Sequence, residues 1–102
     1  MRITIKRGIT AEVVAECLEE WRIPEPKAKE IPALFCDRTN DIAFGAFVES
    51  KIIGILLGRR ISTTIWVHLI HSIGSTRDDA NRCLLEDLEY YAKQFGFNVR
   101  LV

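Results

Sequence analysis

Residues 63–97 constrain the fold of this chain more than any other stretch. They begin with an apolar, β-branched run over 63–70, which predicts a strand. Small residues follow at 72–76, and a helical pattern begins at Arg77 and runs to Phe95. A strand that enters a helix through a tight turn brings the unpaired N–H groups of the first helical turn to the end of the strand. An anionic ligand could bind there, because those groups and the helix dipole favour negative charge.

Both ends of this helix carry capping signals. Thr76-x-x-Asp79 has the spacing of a capping box, in which the two side chains satisfy backbone N–H groups reciprocally. Gly96 is expected to be the left-handed residue that ends the helix, with Phe97 folding back as its apolar companion. An ordinary capped amphipathic helix and an anion-binding helix start both fit these residues, and the sequence leaves the two interpretations open.

The other segments complete an α+β pattern. The predicted elements are a strand at 3–5, a helix from Thr10 that ends before Pro24, a short second helix within 27–36, hairpin strands at 42–49 and 51–59, and a last strand at 97–102. The order β-α-α-β-β-β-α-β predicts a mixed β-sheet flanked by helices. Its fourth and fifth strands should be parallel, because the long helix crosses over between them.

Composition excludes several classes of protein. The 102 residues, 48% of them hydrophobic, fit one domain over 1–102 with a core that needs no disulfide or metal. Basic and acidic residues are equal at 14 each, so no global charge favours nucleic acid or a lipid surface. No apolar run approaches the ~20 residues of a membrane span, and the first residues alternate rather than form a signal peptide. Cys17, Cys36 and Cys83 lack paired spacing, which favours reduced, buried thiols in a cytoplasmic protein.

The spacing within the central stretch resembles the signature of the GNAT superfamily of acyl-CoA N-acyltransferases. The matching run is Trp66-x-His68-x-Ile70-x-Ser72-x-Gly74-x-x-Arg77-x-x-Ala80-x-Arg82-x-x-Leu85. In that family a strand precedes an Arg/Gln-x-x-Gly-x-Gly/Ala turn and an apolar helix. Arg77 stands at the Arg/Gln position, whereas Ala80 and Arg82 replace the two small turn residues.

The resemblance implies a fold and a quaternary structure. It covers essentially the whole chain and matches the GNAT order through the fifth strand, without the helix and final hairpin that such proteins carry next. The expected fold is therefore a GNAT-like mixed sheet lacking that C-terminal helix and hairpin. The last strand would then lie at an uncovered sheet edge, and a homodimer that shares strands is the expected remedy.

The resemblance also implies a site for acyl-CoA. In the family, pantetheine adds backbone hydrogen bonds to the exposed edge of the fourth strand, and the pyrophosphate sits on amides at the start of the long helix. By position, the strand contacts fall on the backbone of Ile70 and Ser72. The pyrophosphate contacts fall on the amides of 77–82, which include Arg77, Ala80, Asn81 and Arg82.

The catalytic assignment rests on His68, which stands where the family often carries a polar group that deprotonates the amine. His71 would lie on the opposite face if the strand were regular, so the two histidines are not expected to share a metal. The family's usual general acid is a Tyr on the helix after the fifth strand, and no residue of this chain matches that position. The expected function is N-acyl transfer from acyl-CoA, taken as acetyl-CoA, to an unknown amine acceptor. The alternative is a non-catalytic GNAT-like binding or regulatory module that acts as a homodimer or with a protein partner.

Overall fold

Five strands form one mixed sheet in the order β1-β2-β3-β4-β5 in this computed structural model, which describes residues 2–23 and 39–102. The elements, in chain order, are β1 (Ile3–Arg7), α1 (Ala11–Glu20), β2 (Asp41–Val48), β3 (Lys51–Ile61), β4 (Thr64–Ser72), α2 (Arg77–Phe95) and β5 (Asn98–Leu101). The pairs β1–β2, β2–β3 and β3–β4 are antiparallel, and the pair β4–β5 is parallel, as predicted. The predicted α+β class is confirmed. The predicted second helix within 27–36, and Cys36 with it, lie outside the described residues.

The sheet is covered on both faces, and β3 lies at its centre. Leu56 packs into the cluster beneath α2, whereas Ile55 and Leu57 pack into the cluster beneath α1. All three side chains are fully buried, because the run over 52–57 is apolar on both faces of the strand and both faces are covered. The two helices therefore lie on opposite faces of the sheet, and each face can hold a different part of a site.

The first helix follows the sequence prediction closely. Thr10 has an extended backbone, and its hydroxyl accepts a hydrogen bond from the amide of Val13 at 3.3 Å. The side chains of Val14, Cys17 and Leu18 are buried against the sheet. Burial raises the pKa of the Cys17 thiol to about 11, and the nearby Glu20 and Glu16 carboxylates add to the increase. Cys17 is therefore a protonated, buried thiol near neutral pH.

The two ends of α2 differ from each other in their capping. Gly96 adopts the predicted left-handed conformation, with φ of 72°, and its N–H group donates to carbonyls of the last turn. Thr76 is the N-cap residue, but its side chain makes no capping hydrogen bond, so the predicted capping box is wrong. The reason lies in the backbone, since ψ of Thr76 is 15° and a hydroxyl reaches the N2 or N3 amide from an extended residue such as Thr10.

Within residues 2–23 and 39–102, neither helix has the length and apolar character that a membrane span requires.

Candidate functional site

One edge of β4 is open along its second half. The recorded pairing with β5 covers residues 64–67, and the amide of Val102 donates to the carbonyl of Val67 at 3.0 Å. Beyond Val67, β4 continues to Ser72 and pairs with β3 on its other side. Within the described residues, β5 therefore leaves the last part of β4 without a neighbour on this edge.

The backbone groups of Ile70 and Ser72 face this open edge. The amide of Ile73 donates to the carbonyl of Ile53 in β3 at 2.8 Å, so this position is a hydrogen-bonded pair. Pairs along an antiparallel ladder alternate between bonded and non-bonded positions. The register pairs Ser72 with Gly54 and Ile70 with Leu56, which places both β4 residues at non-bonded positions. Their N–H and C=O groups therefore point away from β3, as a ligand that extends the sheet would require.

A β-bulge at His68 changes the direction of β4. Leu69 pairs with Leu57 and Val67 pairs with Gly58, so one residue of β4 is inserted between two consecutive residues of β3. Gly58 permits the close approach, because a Cβ atom there would lie 2.6 Å from the carbonyl oxygen of Trp66. The side chains show the same shift, since Val67 packs beneath α2 and Leu69 packs beneath α1.

The bulge determines where the two histidines lie. His71, two residues after Leu69, faces α1, and its ring centroid is 5.9 Å from that of Trp21. His68 is the residue inserted at the bulge, and its side chain is exposed. The condition for opposite faces, a regular strand, is not met. His71 lies on the face away from α2, and His68 lies at the bulge, where the pairing of β4 with β5 ends.

The first turn of α2 offers fewer free amides than the sequence suggested. The amide of Arg77 approaches the carbonyl of Gly74 at 3.4 Å, and that of Ala80 donates to the carbonyl of Thr76 at 2.9 Å. Asn81 and Arg82 lie farther along the helix, where amides bond to carbonyls four residues earlier. The amides of Asp78 and Asp79 are the N2 and N3 donors of the helix, and no acceptor is recorded for them among the described residues.

The charged side chains at this end are exposed and weakly held. Arg82 donates to the carboxylate of Asp79 at 3.2 Å, and both side chains are nearly two-thirds exposed, 64% and 63%. Pairs of this kind contribute roughly 0–1 kcal/mol. The Asp79 carboxylate thus contacts a guanidinium group, and Arg82 could exchange it for a phosphate at little cost. The side chain of Arg77 is also exposed.

A side-chain hydrogen bond joins the end of β4 to the start of α2. The Ser72 hydroxyl donates to the Asn81 side-chain oxygen at 2.6 Å. Ser72 is only 6% exposed, and it lies over Gly54, where a Cβ atom would collide with its hydroxyl. The sequence placed both residues in the site through their backbones and missed this contact. The available signal was a polar residue at the end of an apolar strand, facing a second polar residue on the following helix.

Solved structures resemble the chain over nearly its full length. A ribosomal-protein-alanine N-acetyltransferase from Brucella melitensis matches with a TM-score of 0.76 at 15% identity, covering 99% of this chain and 79% of that one. The PaiA N-acetyltransferase of Thermoplasma acidophilum, in complex with coenzyme A, matches with a TM-score of 0.68 at 18% identity, covering 99% and 79%. An aminoglycoside acetyltransferase from a soil metagenome, in complex with sisomicin, matches with a TM-score of 0.71 at 15% identity, covering 98% and 76%.

These likenesses settle the fold. The neighbours are acetyltransferases, and the chain has the GNAT acyltransferase fold that the resemblance predicted. No protein-family model and no curated protein sequence matches the chain. At such low identities the neighbours show the fold alone, so the chemistry must be argued from the residues of this chain.

Proposed function

We propose that this chain is an N-acyltransferase that uses acetyl-CoA and transfers the acetyl group to a small or protein-borne amine. One observation carries the proposal. The open edge of β4, with the backbone groups of Ile70 and Ser72, ends beside the first-turn amides of Asp78 and Asp79. An extended amide chain that ends in a diphosphate has the shape and the hydrogen-bonding groups to fit that edge and those amides.

The residues present suit both parts of coenzyme A. The amide groups of pantetheine can pair with the edge of β4 in the way that a peptide adds a strand to a sheet. The diphosphate would accept hydrogen bonds from the first-turn amides, with Arg77 and Arg82 as additional cationic donors. Hydrogen bonds to charged groups contribute about 1.5–3 kcal/mol each. The solved PaiA neighbour was crystallised with coenzyme A, which supports acyl-CoA as the donor.

His68 is the proposed general base. It lies at the bulge of β4, at the point where β4 and β5 part. The amine nitrogen attacks the thioester carbonyl carbon, the C–S bond breaks, and CoA leaves as a thiolate. The proton lost by the amine passes to the His68 imidazole, directly or through a water molecule. Histidine suits this step because it exchanges protons near neutral pH.

Ligand binding tests the proposal most directly. Thermal unfolding should be followed with and without acetyl-CoA, using adenosine monophosphate at equal concentration as a control for non-specific anion binding. A ligand at one hundred times its dissociation constant stabilises the folded state by about 2.7 kcal/mol, which a domain of this size would show as a clear rise in Tm. The absence of a shift at millimolar acetyl-CoA would refute the cofactor assignment.

Paired histidine variants test the base. Thiol release from acetyl-CoA, measured over a panel of amines, should be strongly reduced by His68→Gln while acetyl-CoA still raises the Tm. His71→Gln is the matched variant, because His71 lies three residues farther along the same strand but packs against Trp21. A large loss of turnover in His71→Gln, with His68→Gln unaffected, would transfer the role to His71.

A second candidate is a binding or regulatory module that keeps the fold without catalysis. Ala80 favours it, because its side chain is fully buried and its amide is already bonded within the helix. Binding of acetyl-CoA without thiol release over the amine panel would support this function. Binding together with turnover would exclude it.

The proposed enzyme is a homodimer that acts in the cytoplasm. In the described sheet β5 pairs on one side with β4, and Leu101 on β5 is 65% exposed. We infer a homodimer that covers this edge, and light scattering at micromolar concentration should give twice the monomer mass. Cys17 and Cys83 are free thiols in the part of the chain that the structure describes, which supports action in the reducing cytoplasm.

A further inference from the structure

A row of charged and aromatic side chains crosses the sheet near the start of β4. Four neighbouring strands, β2 to β5, each contribute one residue, and the register aligns Asp41, Arg59, Trp66 and Arg100. Arg59 donates to the Asp41 carboxylate at 2.9 Å, as expected for aligned side chains on one face of a sheet. The Asp41 side chain is only 2% exposed, so this ion pair is internal to the protein and its two charges compensate each other.

Trp66 and Arg100 lie side by side on the face away from α2. Ile65 and Val67 pack beneath α2, so Trp66, which lies between them, points to the opposite face. Val99 also packs beneath α2, and Arg100 follows it on the opposite face. Neighbouring strands are about 4.8 Å apart, so the two paired side chains are adjacent on the sheet surface.

Arg100 adds a positive charge that the row does not compensate. Its side chain is exposed, and among residues 2–23 and 39–102 no carboxylate forms an ion pair with it. A guanidinium group presents its N–H donors in a planar fork that matches the two oxygens of a carboxylate. This part of the face therefore suits an anionic group, and a carboxylate in particular.

Trp66 provides the apolar half of the same surface. It is 36% exposed, whereas Ile65 and Val67 on either side are 0% and 3% exposed. An exposed indole face can cover the aliphatic carbon atoms of a ligand. His68 follows two residues later, about 7 Å along the strand, where the pairing of β4 with β5 ends. The guanidinium, the indole and the imidazole thus follow one another along the junction of β4 and β5.

We propose that Trp66 and Arg100 bind the amine acceptor and that this acceptor carries a carboxylate. The inference rests on the proposed acyl transfer and narrows its substrate class. Arg100 holds the carboxylate, Trp66 covers the intervening carbon atoms, and the amine lies at His68. This spacing favours several bonds between amine and carboxylate over the single carbon of an α-amino acid. A γ-amino acid and a peptide N-terminus followed by an acidic side chain both have this chemistry.

Two matched pairs of amines test the substrate class through thiol release from acetyl-CoA. One pair is γ-aminobutyrate and its amide, and the other is C-terminally amidated alanyl-glutamate and alanyl-glutamine. In at least one pair the acid should be preferred over the amide by about ten-fold or more in kcat/KM, the order expected for one charge-assisted hydrogen bond. The pair that shows the preference distinguishes a free amino acid from a peptide. Equal values within both pairs would overturn the inference.

Variants at the row test the two residues separately. Arg100→Gln should raise KM for the acid to that of the amide and leave kcat unchanged. Arg2→Gln, at an exposed arginine next to the far edge strand β1, should keep the preference. Trp66→Leu should raise KM for both members of a pair several-fold and keep their ratio, because both members share the carbon atoms that the indole covers. A preference that survives in Arg100→Gln, or parent KM values in Trp66→Leu, would overturn the role of that residue.

Calorimetric titration of the same pairs separates this inference from the proposed function. The acid should bind the parent chain more tightly than the amide, and Arg100→Gln should remove the difference. If the acid binds in this way but no thiol is released, catalysis fails and the binding role of Trp66 and Arg100 holds. Equal or undetectable binding within both pairs, with and without coenzyme A, would overturn that role even if thiol is released. Tm values of each variant separate lost affinity from misfolding.

Discussion

The two ends of α2 are built differently. At the C-terminal end Gly96 caps the helix with backbone hydrogen bonds, and Tyr91 packs between Phe44 and Phe95, with ring centroids at 6.2 and 5.0 Å. At the N-terminal end Thr76 provides no side-chain cap, and among the described residues the amides of Asp78 and Asp79 have no backbone acceptor. The C-terminal end satisfies its own polar groups, whereas the N-terminal end keeps donors available. The C-terminal end therefore contributes to stability, and the N-terminal end is where we propose that the diphosphate of acyl-CoA binds.

The largest expected effect is at the C-terminal end, in Tyr91→Ala. The Tyr91 ring contacts Phe44 and Phe95 and also lies 5.3 Å from the Arg7 guanidinium. We expect a loss of about 2–4 kcal/mol in the free energy of unfolding, from lost burial and lost aromatic contacts. Urea denaturation measures it.

The neighbouring residue is the control for this change. Tyr90 is 61% exposed, so Tyr90→Ala should change stability by less than about 0.5 kcal/mol. The folded fraction of Tyr91→Ala should bind acetyl-CoA like the parent chain. A weaker affinity in that fraction would show that the two ends of the helix are not independent.

Two glycines with similar backbones compare the ends directly. Gly96 at one end and Gly74 at the other both have positive φ, 72° and 85°, and an added Cβ atom would meet nothing within 4 Å at either. Gly96→Ala and Gly74→Ala should each lower stability by about 1 kcal/mol through backbone strain alone. Only Gly74→Ala should also weaken binding of acetyl-CoA, because its turn sets the direction of the first helical amides. If Gly74→Ala and Gly96→Ala bound acetyl-CoA with equal affinity, measured by titration calorimetry, the turn at Gly74 would not be part of the site.

An ion pair adds to the stability of the C-terminal half. Arg7 of β1 donates to the Asp87 carboxylate through two nitrogens, at 2.9 and 3.2 Å, and its guanidinium lies 5.6 Å from the centroid of the Phe44 ring. Both side chains are partly exposed, so a double-mutant cycle with Arg7→Ala and Asp87→Ala should give a coupling of about 0.5–1 kcal/mol. The coupling should fall at high salt, and none of these variants should change the affinity for acetyl-CoA. A coupling near zero would mean that the ion pair does not stabilise the fold and that the aromatic contacts alone stabilise the C-terminal half of α2.

Periodicity predicted most of the fold. The central strand β3, the two amphipathic helices and the parallel β4–β5 pair all followed from where apolar residues recur and from which connection crosses over. A glycine within a strand is typical of a bulge or a close backbone approach, and the structure shows both where Gly58 contacts Trp66. These features depend on which residue types occur at neighbouring positions, and those can be read from the sequence.

The details of the site depend on long-range geometry and were harder to predict. Nothing in the run Val67-His68-Leu69 shows that the inserted residue is His68, because the shift is decided by the register with β3. Thr10 and Thr76 look alike as N-cap residues, yet only Thr10 has the extended backbone that lets its hydroxyl cap the helix. The backbone of Thr76 is set by the turn from β4, which the spacing of a capping box does not describe.

The smallest expected effect is that of Asp78→Asn, which should lower the stability of the fold but raise its affinity for acetyl-CoA. Asp78 lies in the first turn of α2, where a carboxylate interacts favourably with the helix dipole but repels a phosphate. Asp78→Asn should lower stability by about 0.5 kcal/mol and raise the affinity for acetyl-CoA by roughly two- to five-fold, the size of one screened charge interaction. The gain in affinity should shrink at high salt. Glu89→Gln is the matched control, because Glu89 is exposed in the body of the helix and should change neither quantity appreciably. A loss of stability in Asp78→Asn without a gain in affinity would mean that the anion binds elsewhere and that this helix start is simply poorly capped.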